Sequence, residues 1–342
     1  MSGSAVRVRV PATSANLGPG FDSLGLALGL HDVVLARVTA SGLTIEVTGE
    51  GAGTVGADEA HLVVRAMRRT FEILDGQPAG LALRCANRIP HGRGLGSSAA
   101  AIVSGVLAAR ALTDHGDQRL PDDAVLRLAA GLEGHPDNVA ACLLGGLTVA
   151  WAGTDGPRAV TLSPLRAIVP VVFVAPEPLS TRQARGVLPE TVPHADAAAN
   201  AGRSALLIAA LTSDTPGCPA GDGAGAAFSA PGALLDATHD RLHQQYRAGV
   251  MPETATLVHR LRQAGVPAVV SGAGPSVLAF LIRPGGADAP SSAGLDVLDS
   301  TSRDMGIAWD ISVLDVDRRG ASIQYVTPGS EGSEVPVGGT PP

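Results

Sequence analysis

The sequence predicts an α+β protein of two domains, and three observations carry that prediction. The chain has 342 residues, about twice the usual 100–200 residues of one domain. Stretches with a two-residue apolar period alternate with stretches of helical period along the first half. The alternation breaks near residues 160–170, where Thr161-Leu162-Ser163-Pro164 precedes the apolar run Val169–Ala175. We therefore expect an N-terminal domain over 1–165 and a C-terminal domain over 166–326. The tail 327–342 holds Gly, Ser, Pro and Glu with little apolar content and is expected to be disordered.

The chain begins with a strand pattern, Val6-Arg7-Val8-Arg9-Val10, apolar on one face and basic on the other. Val33–Val38 and Leu43–Val47 follow as strands. Asp58–Leu74 is an amphipathic helix, with Leu62, Val63, Ala66, Met67 and Phe71 at helical spacing. Leu81–Cys85 is a strand, Ser97–Leu112 an Ala-rich helix, and Leu120–Leu132 a helix started by Pro121-Asp122-Asp123. Gly145–Trp151 returns to strand, and Ala152–Pro157 is rich in turn residues. The second half opens on the strand Val169–Ala175 and continues with a long helix around Ala195–Leu211 and a Gly/Pro loop over Pro216–Gly225. Glu253–Ala264 is a helix, and Ala268–Val270 and Val277–Leu281 are strands flanking a glycine turn. A helix over Val297–Met305 and a strand over Ala308–Leu314 complete the series.

Composition excludes several chemistries. All 25 basic residues are Arg, against 32 acidic residues, and there is no Lys. That removes a Walker-type P-loop, Schiff-base chemistry and a Lys general base. A phosphate ligand must be held by backbone amides, helix N-termini or Arg. Aromatics make up 3% of the chain and the net charge is −7, which argues against nucleic acid as a partner: stacking platforms and a basic face are both lacking. Cys85, Cys142 and Cys218 lie far apart, without zinc spacing, as expected for a reducing compartment. No run reaches 18 apolar residues and the first residues carry no apolar signal segment, so we expect no membrane partner and a cytoplasmic protein.

Four patches carry candidate chemistry. Pro90-His91-Gly92-Arg93-Gly94-Leu95-Gly96-Ser97-Ser98-Ala99-Ala100 places glycines at every second position before a helix start. Such a backbone can approach a bulky anion, and the helix amides and dipole favour phosphate. Ala99, Ala100, Ala101 and Ala108 let that helix pack closely behind the loop. Ser98 is placed to offer a hydroxyl to Mg²⁺ as a P-loop Ser does. In Pro11–Asp22, Asn16 and Asp22 offer an amide and a carboxylate, although taken alone a polar turn capped by the same residues is the better reading. Glu133-Gly134-His135-Pro136-Asp137-Asn138 gathers acids, an imidazole and an amide, and equally suits a helix start. Ser271-Gly272-Ala273-Gly274-Pro275-Ser276 is a tight turn between strands. A fifth string, Gly51-Ala52-Gly53-Thr54-Val55-Gly56, matches GxGxxG but lacks the acidic strand end a dinucleotide site needs, and is expected to be a flexible surface loop.

Together the four patches resemble the homoserine kinase family of the galactokinase, homoserine kinase, mevalonate kinase and phosphomevalonate kinase superfamily. Pro90–Ala100 is similar to the superfamily ATP loop PxxxGLGSSAA, Pro11–Gly25 to the first motif, Glu133–Asn138 with Gly145-Gly146 to an EGHPDN…GG segment, and Ser271–Ser276 to the third motif. The resemblance covers residues 6 to about 315. It implies a two-domain small-molecule kinase fold, an N-terminal αβ domain carrying the ATP loop and a ferredoxin-like C-terminal domain, with ligands in the cleft between them. It implies MgATP-dependent phosphorylation of the side-chain hydroxyl of L-homoserine, a step of threonine biosynthesis, by a homodimer. Pro90, Gly92, Arg93, Gly94, Leu95, Gly96, Ser97, Ser98, Ala99 and Ala100 would form the nucleotide site, Ser98 and Glu133 would be the Mg²⁺ ligands, and Asn16, Asp22, Arg185 and Arg247 would hold the amino acid. His135, Asp137 and Asn138 would lie beside the reacting hydroxyl.

A zwitterion needs an anion for its ammonium and a fork of donors for its carboxylate, which Arg supplies. Two departures from the superfamily pattern stand out: Glu133–Asp137 is more compact than in other members, and His61 stands where many relatives have Asn near the adenine. A catalytic base stays open, because phosphoryl transfer can proceed by positioning and charge neutralisation. The alternatives are a related kinase acting on mevalonate or a sugar, and a nucleotide-binding regulator that has lost catalysis.

Overall fold

The computed structural model describes residues 5–213, 230–283 and 290–326. The first half of the chain contributes six strands to one sheet: β1 (Ala5–Ala15), β2 (Leu24–Thr39), β3 (Gly42–Gly49), β4 (Gly80–Asn87), β5 (Leu147–Gly153) and β6 (Gly156–Leu162). In β1, Val6, Val8 and Val10 are fully buried while Arg9 is exposed, as the alternation predicts. The register with β2 shifts between Pro11 and Ala12. Past that irregularity every residue to Ala15 is buried, so both faces of the strand are covered. The strand thereby carries Thr13 and Ser14 into the interior, where polar groups persist only if hydrogen-bonded.

Five helices accompany this sheet: α1 (Leu62–Ile73), α2 (Ser97–Leu112), α3 (Gly116–Arg119), α4 (Asp122–Glu133) and α5 (Asp137–Leu144). α2 and α5 pack on β1 and β2, with α1 and α4 against α2. α2 is buried almost all round, and its small residues permit this. A Cβ at Gly105 would stand 2.5 Å from the Val63 carbonyl, so α1 crosses there at close range.

The second sheet has four strands, β7 (Ile168–Val174), β8 (Ala268–Val270), β9 (Val277–Ile282) and β10 (Asp310–Val313), in the order β10-β7-β9-β8 with all neighbours antiparallel. Between β7 and β8 come α6 (Thr181–Gly186), α7 (His194–Thr212), α8 (Ala230–Ala237), α9 (Gln244–Arg247) and α10 (Pro252–Gln263). α11 (Ser292–Arg303) joins β9 to β10 and packs on α10. This is the split βαβ order of a ferredoxin-like unit.

Two parts of the second half return to the first sheet. β11 (Ser322–Val326) pairs antiparallel with β1, placing Val326 opposite Ala5. Leu207 and Leu211 of α7 join the first core, and the Leu165 amide donates to the Leu211 carbonyl at 2.8 Å. The sequence reading assigns both segments to the C-terminal domain, since local periodicity carries no information about which sheet a strand joins.

The other differences are local. β2 begins at Leu24, where Gly25 and Gly29 interrupt the strand pattern. β6 starts inside the turn-rich Ala152–Pro157 and runs on to Leu162, a strand the sequence reading does not assign because, as a largely exposed hairpin arm, it lacks clean alternation. The Gly51–Gly56 string is a turn on the surface, its Thr54 and Val55 amides donating back to the Gly51 carbonyl. Cys85 and Cys142 are buried free thiols, their pKa values raised by burial. The Pro216–Gly225 loop, Cys218 and the 327–342 tail lie outside the described residues. Among the described residues no helix is long and apolar enough to cross a membrane.

Candidate active site

The glycine string connects β4 to α2, and its geometry is that of an anion cradle. Gly92, Gly94 and Gly96 have φ of +65°, +73° and +71°, a region that favours glycine. Gly96 also caps α2, and a Cβ there would run into the Thr13 hydroxyl. Neighbouring segments hold the loop in place: the Thr13 amide donates to the Leu95 carbonyl at 3.0 Å, and the Ser271 hydroxyl to the Gly94 carbonyl at 2.7 Å. The Asp32 carboxylate, buried in β2, accepts the Arg88 and Ile89 amides at 2.6 and 2.9 Å just before the string. Sequence reasoning missed Asp32, and nothing in its spacing marks it.

Within the string the structure separates two kinds of residue. Gly92, Gly94, Gly96, Ser97 and Ser98 line a cavity of about 120 Å³. Leu95, Ala99 and Ala100 are buried behind it as support. Arg93, expected to add charge toward phosphate, instead donates to the backbone carbonyls of Ala175, His91 and Pro176. It fastens the loop to the end of β7, and its guanidinium is committed there because three fixed acceptors surround it. Pro90 sits half-buried at the strand exit.

Ser98 opens toward Glu133 at the end of α4, its hydroxyl donating to the carboxylate at 2.6 Å. Burial raises the Glu133 pKa, while the Ser98 hydrogen bond and nearby His135 draw it down. After Gly134 (φ +96°) the chain turns into α5. Asp137 is buried, and its carboxylate accepts from the Asn138 amide at 2.7 Å and pairs with His135 Nδ1 at 3.0 Å. That hydrogen bond raises the His135 pKa above the usual imidazole value, against desolvation. The Asn138 side-chain Oδ1 accepts the Thr13 hydroxyl at 2.8 Å, which ties α5 to β1. Thr13 was inside the first motif and not singled out.

The opposite wall comes from three distant segments. Asn16, with φ +68°, donates to the Gly272 carbonyl and accepts the Asp22 amide at 2.8 and 3.0 Å. Arg185 of α6 grips Asp22 with two bonds, at 2.5 and 3.2 Å. Arg247 at the end of α9 is 1% exposed. It donates to the carbonyls of Ala184 and Gly272, each at 3.1 Å. Burial lowers its pKa to about 10, with the Arg185 charge acting in the same direction. Both guanidiniums lie over the Phe21 ring, each 5.6 Å from its centroid. Arg185, Arg247 and Asn16 line the same cavity as the glycines, Glu133, His135, Asp137 and Asn138.

Behind Ser97 and Ser98 a second cavity of about 230 Å³ is lined by Val34, Val55, His61, His91, Ala100 and Ala101 among others. His61 is 6% exposed and, among the described residues, its Nδ1 lacks a hydrogen-bond partner; burial lowers its pKa. This slot, lined also by Asp32 and Asn87, sets apolar walls beside polar groups next to the glycine string, a combination that suits a flat, hydrogen-bonding ring. The GxGxxG turn thus contributes one wall through Val55.

These features agree with what the chain is similar to. The GHMP kinase N-terminal domain family matches residues 61–146, and the GHMP kinase C-terminal family matches residues 226–290. Homoserine kinase of Streptomyces coelicolor is 54% identical over 320 residues, covering 94% of each chain. The chain belongs to the homoserine kinase family of the GHMP kinases. Homoserine kinase of Streptomyces avermitilis is 55% identical, covering 94% of this chain and 96% of that one. The crystal structure of homoserine kinase from Cytophaga hutchinsonii shares the fold, with a TM-score of 0.72 at 24% identity over 94% of this chain and 97% of that one.

Proposed function

We propose that this chain transfers the γ-phosphoryl group of ATP to the side-chain hydroxyl of L-homoserine, giving O-phospho-L-homoserine for threonine biosynthesis. The observation that carries the reading is the shared cavity, in which a phosphate cradle and a set of groups suited to a zwitterion face one another. The Asp22–Arg185 ion pair is the complement of an amino acid's own charges. Asp22 would take the ammonium, and Arg185 with Arg247 the carboxylate. That anchoring points the side-chain hydroxyl at Asp137 and Asn138, beside the glycine amides. Mevalonate and sugars lack an ammonium that could pair with Asp22.

The base of ATP fits the cavity beside His61, and its phosphates the loop of Gly92–Ser98 with the α2 N-terminus. Ser98 and Glu133 are hard oxygen donors in contact, the type that Mg²⁺ takes together with nucleotide phosphates. A bound Mg²⁺ would offset the phosphate charge. Asp137 and Asn138 would position the hydroxyl, and His135, bonded to Asp137, would lie beside the transferred group. On the family resemblance we also propose a homodimer, which sedimentation would check.

A coupled ADP-release assay with L-homoserine, mevalonate and galactose side by side tests the reading. ADP release with L-homoserine alone is expected. Turnover of mevalonate or galactose instead, or ATP binding without turnover of any acceptor, would overturn it.

A further inference from the structure

The carboxylate-side wall contains a buried imidazole that the reading above leaves without a role. His243, just before α9, is 0% exposed. Its Nδ1 lies 3.0 Å from an Arg247 guanidinium nitrogen, and its Nε2 lies 2.8 Å from the Gly18 carbonyl. Arg is a donor only, so Nδ1 must accept and the ring proton must sit on Nε2, where the Gly18 carbonyl receives it. Two fixed partners therefore select a single neutral tautomer. The ring is stacked on Phe21, with centroids 5.2 Å apart and planes 28° from parallel.

Arg247 needs such a holder. Among the described residues no carboxylate forms a salt bridge with it, although it is a buried cation. Its fixed contacts are the two carbonyls, the Phe21 face and His243. The carbonyls hold Nε and one terminal nitrogen, and the imidazole, the one side-chain acceptor among these contacts, takes the second proton of that same terminal nitrogen. The Asp240 carboxylate lies 3.7 Å from His243 Nε2, but it also accepts the amides of Leu242, His243 and Gln244 and the Asn200 side chain. It shapes the turn that presents His243, and it does not reach Arg247 through these bonds.

We infer that His243 is a positioning residue for the substrate: through its Nδ1 it holds the Arg247 guanidinium in the orientation that grips the carboxylate of the amino-acid acceptor. The inference rests on the reading of L-homoserine as acceptor. The amide of Asn reaches the Nδ1 position of the replaced ring, and that of Gln the Nε2 position. His243→Asn therefore keeps an acceptor for Arg247, and His243→Gln keeps only the donor to Gly18. Phe21 and the Asp240 turn stay in place in both.

The test measures kcat and KM for the full chain and both variants with two acceptors: L-homoserine, and 3-aminopropan-1-ol, which has the same hydroxyl and ammonium but no carboxylate. For His243→Gln we expect KM for L-homoserine to rise at least about tenfold, with kcat/KM for the amino alcohol and KM for ATP within about twofold. For His243→Asn we expect the preference for L-homoserine to stay within about threefold of the parent. An equal loss on both acceptors, or an unchanged KM for L-homoserine, in His243→Gln overturns the inference. Should that variant not fold, as judged by its melting curve, His243→Asn decides: loss of the carboxylate preference there overturns it. A parent protein that does not phosphorylate L-homoserine sinks the functional reading itself, which separates the two failures.

Discussion

In the proposed function, the two halves of the cleft would recognise charge by different means. On the phosphate side, recognition is built from main chain: three left-handed glycines and the start of α2, with Ser98 and Glu133 at the rim. On the amino-acid side it is built from side chains, Asn16, Asp22, Arg185 and Arg247, brought from three segments and held by Phe21, Gly272 and one another. The difference explains how a chain without Lys can handle a nucleotide. A backbone cradle supplies amides at fixed positions whatever the side-chain inventory, whereas a carboxylate needs the forked donors of Arg.

Substitutions that separate the halves in kinetics put this division at risk. The largest effect is expected for Glu133→Gln, which removes the charged member of the rim pair. Turnover should fall about 10²–10³-fold with KM for L-homoserine nearly unchanged, as steady-state assays at varied Mg²⁺ would reveal. Arg247→Ala should act on the other half, lowering kcat/KM for L-homoserine about 100-fold while KM for ATP stays put. If KM for ATP rose in parallel, the two halves would not be independent. Asn138→Ala, at the seam, should lower turnover at saturating acceptor by at least about tenfold. A smaller loss would remove Asn138 from hydroxyl positioning.

The smallest effect is a control outside the cleft. Asp317 in the segment before β11 pairs with His31 at 2.5 Å and accepts the Arg319 and Gly320 amides. Burial opposes its ionisation, but these bonds prevail and hold its pKa to about 2. A carboxyl depressed in the folded state adds stability that is present above its unfolded pKa near 3.9 and is lost as pH falls toward 2. Asp317→Asn should therefore cost roughly 1–2 kcal/mol at pH 7, discounted for solvent screening, and the gap to the parent should close between about pH 4 and pH 2. Chemical denaturation across that range would measure it, with KM values unmoved.

The same contrast governs what could be read from the chain itself. The phosphate half was legible because a loop-to-helix cradle is contiguous: Gly92, Gly94, Gly96, Ser97 and Ser98 fall in seven residues, and their spacing dictates their geometry. α1 follows from its apolar period and α2 from its run of Ala for the same reason, whereas short helices such as α3, α6 and α9 carry too few residues to show a period. The amino-acid half was not legible from spacing, since Asp22 and Arg185 meet across 163 positions; only resemblance to the family brought them together. His243 and Asp32 went unmarked because each acts through a neighbour, on Arg247 and on the amides before the loop. Arg93 shows the opposite error, a charge placed by sequence beside phosphate and drawn by carbonyls at the end of β7 to the back of the loop. The return of β11 to the first sheet was likewise hidden, being a property of pairing and not of the five residues themselves.

In the proposed reaction the cleft would orient the side-chain hydroxyl of a zwitterionic amino acid toward the γ-phosphate of ATP. Phosphorus-31 NMR of the full chain with MgATP and L-homoserine tests this directly. One new phosphomonoester resonance is expected, coupled to the side-chain CH₂–O protons and growing as ADP appears. Inorganic phosphate alone, or a phosphoryl group on any other position of the amino acid, would contradict it.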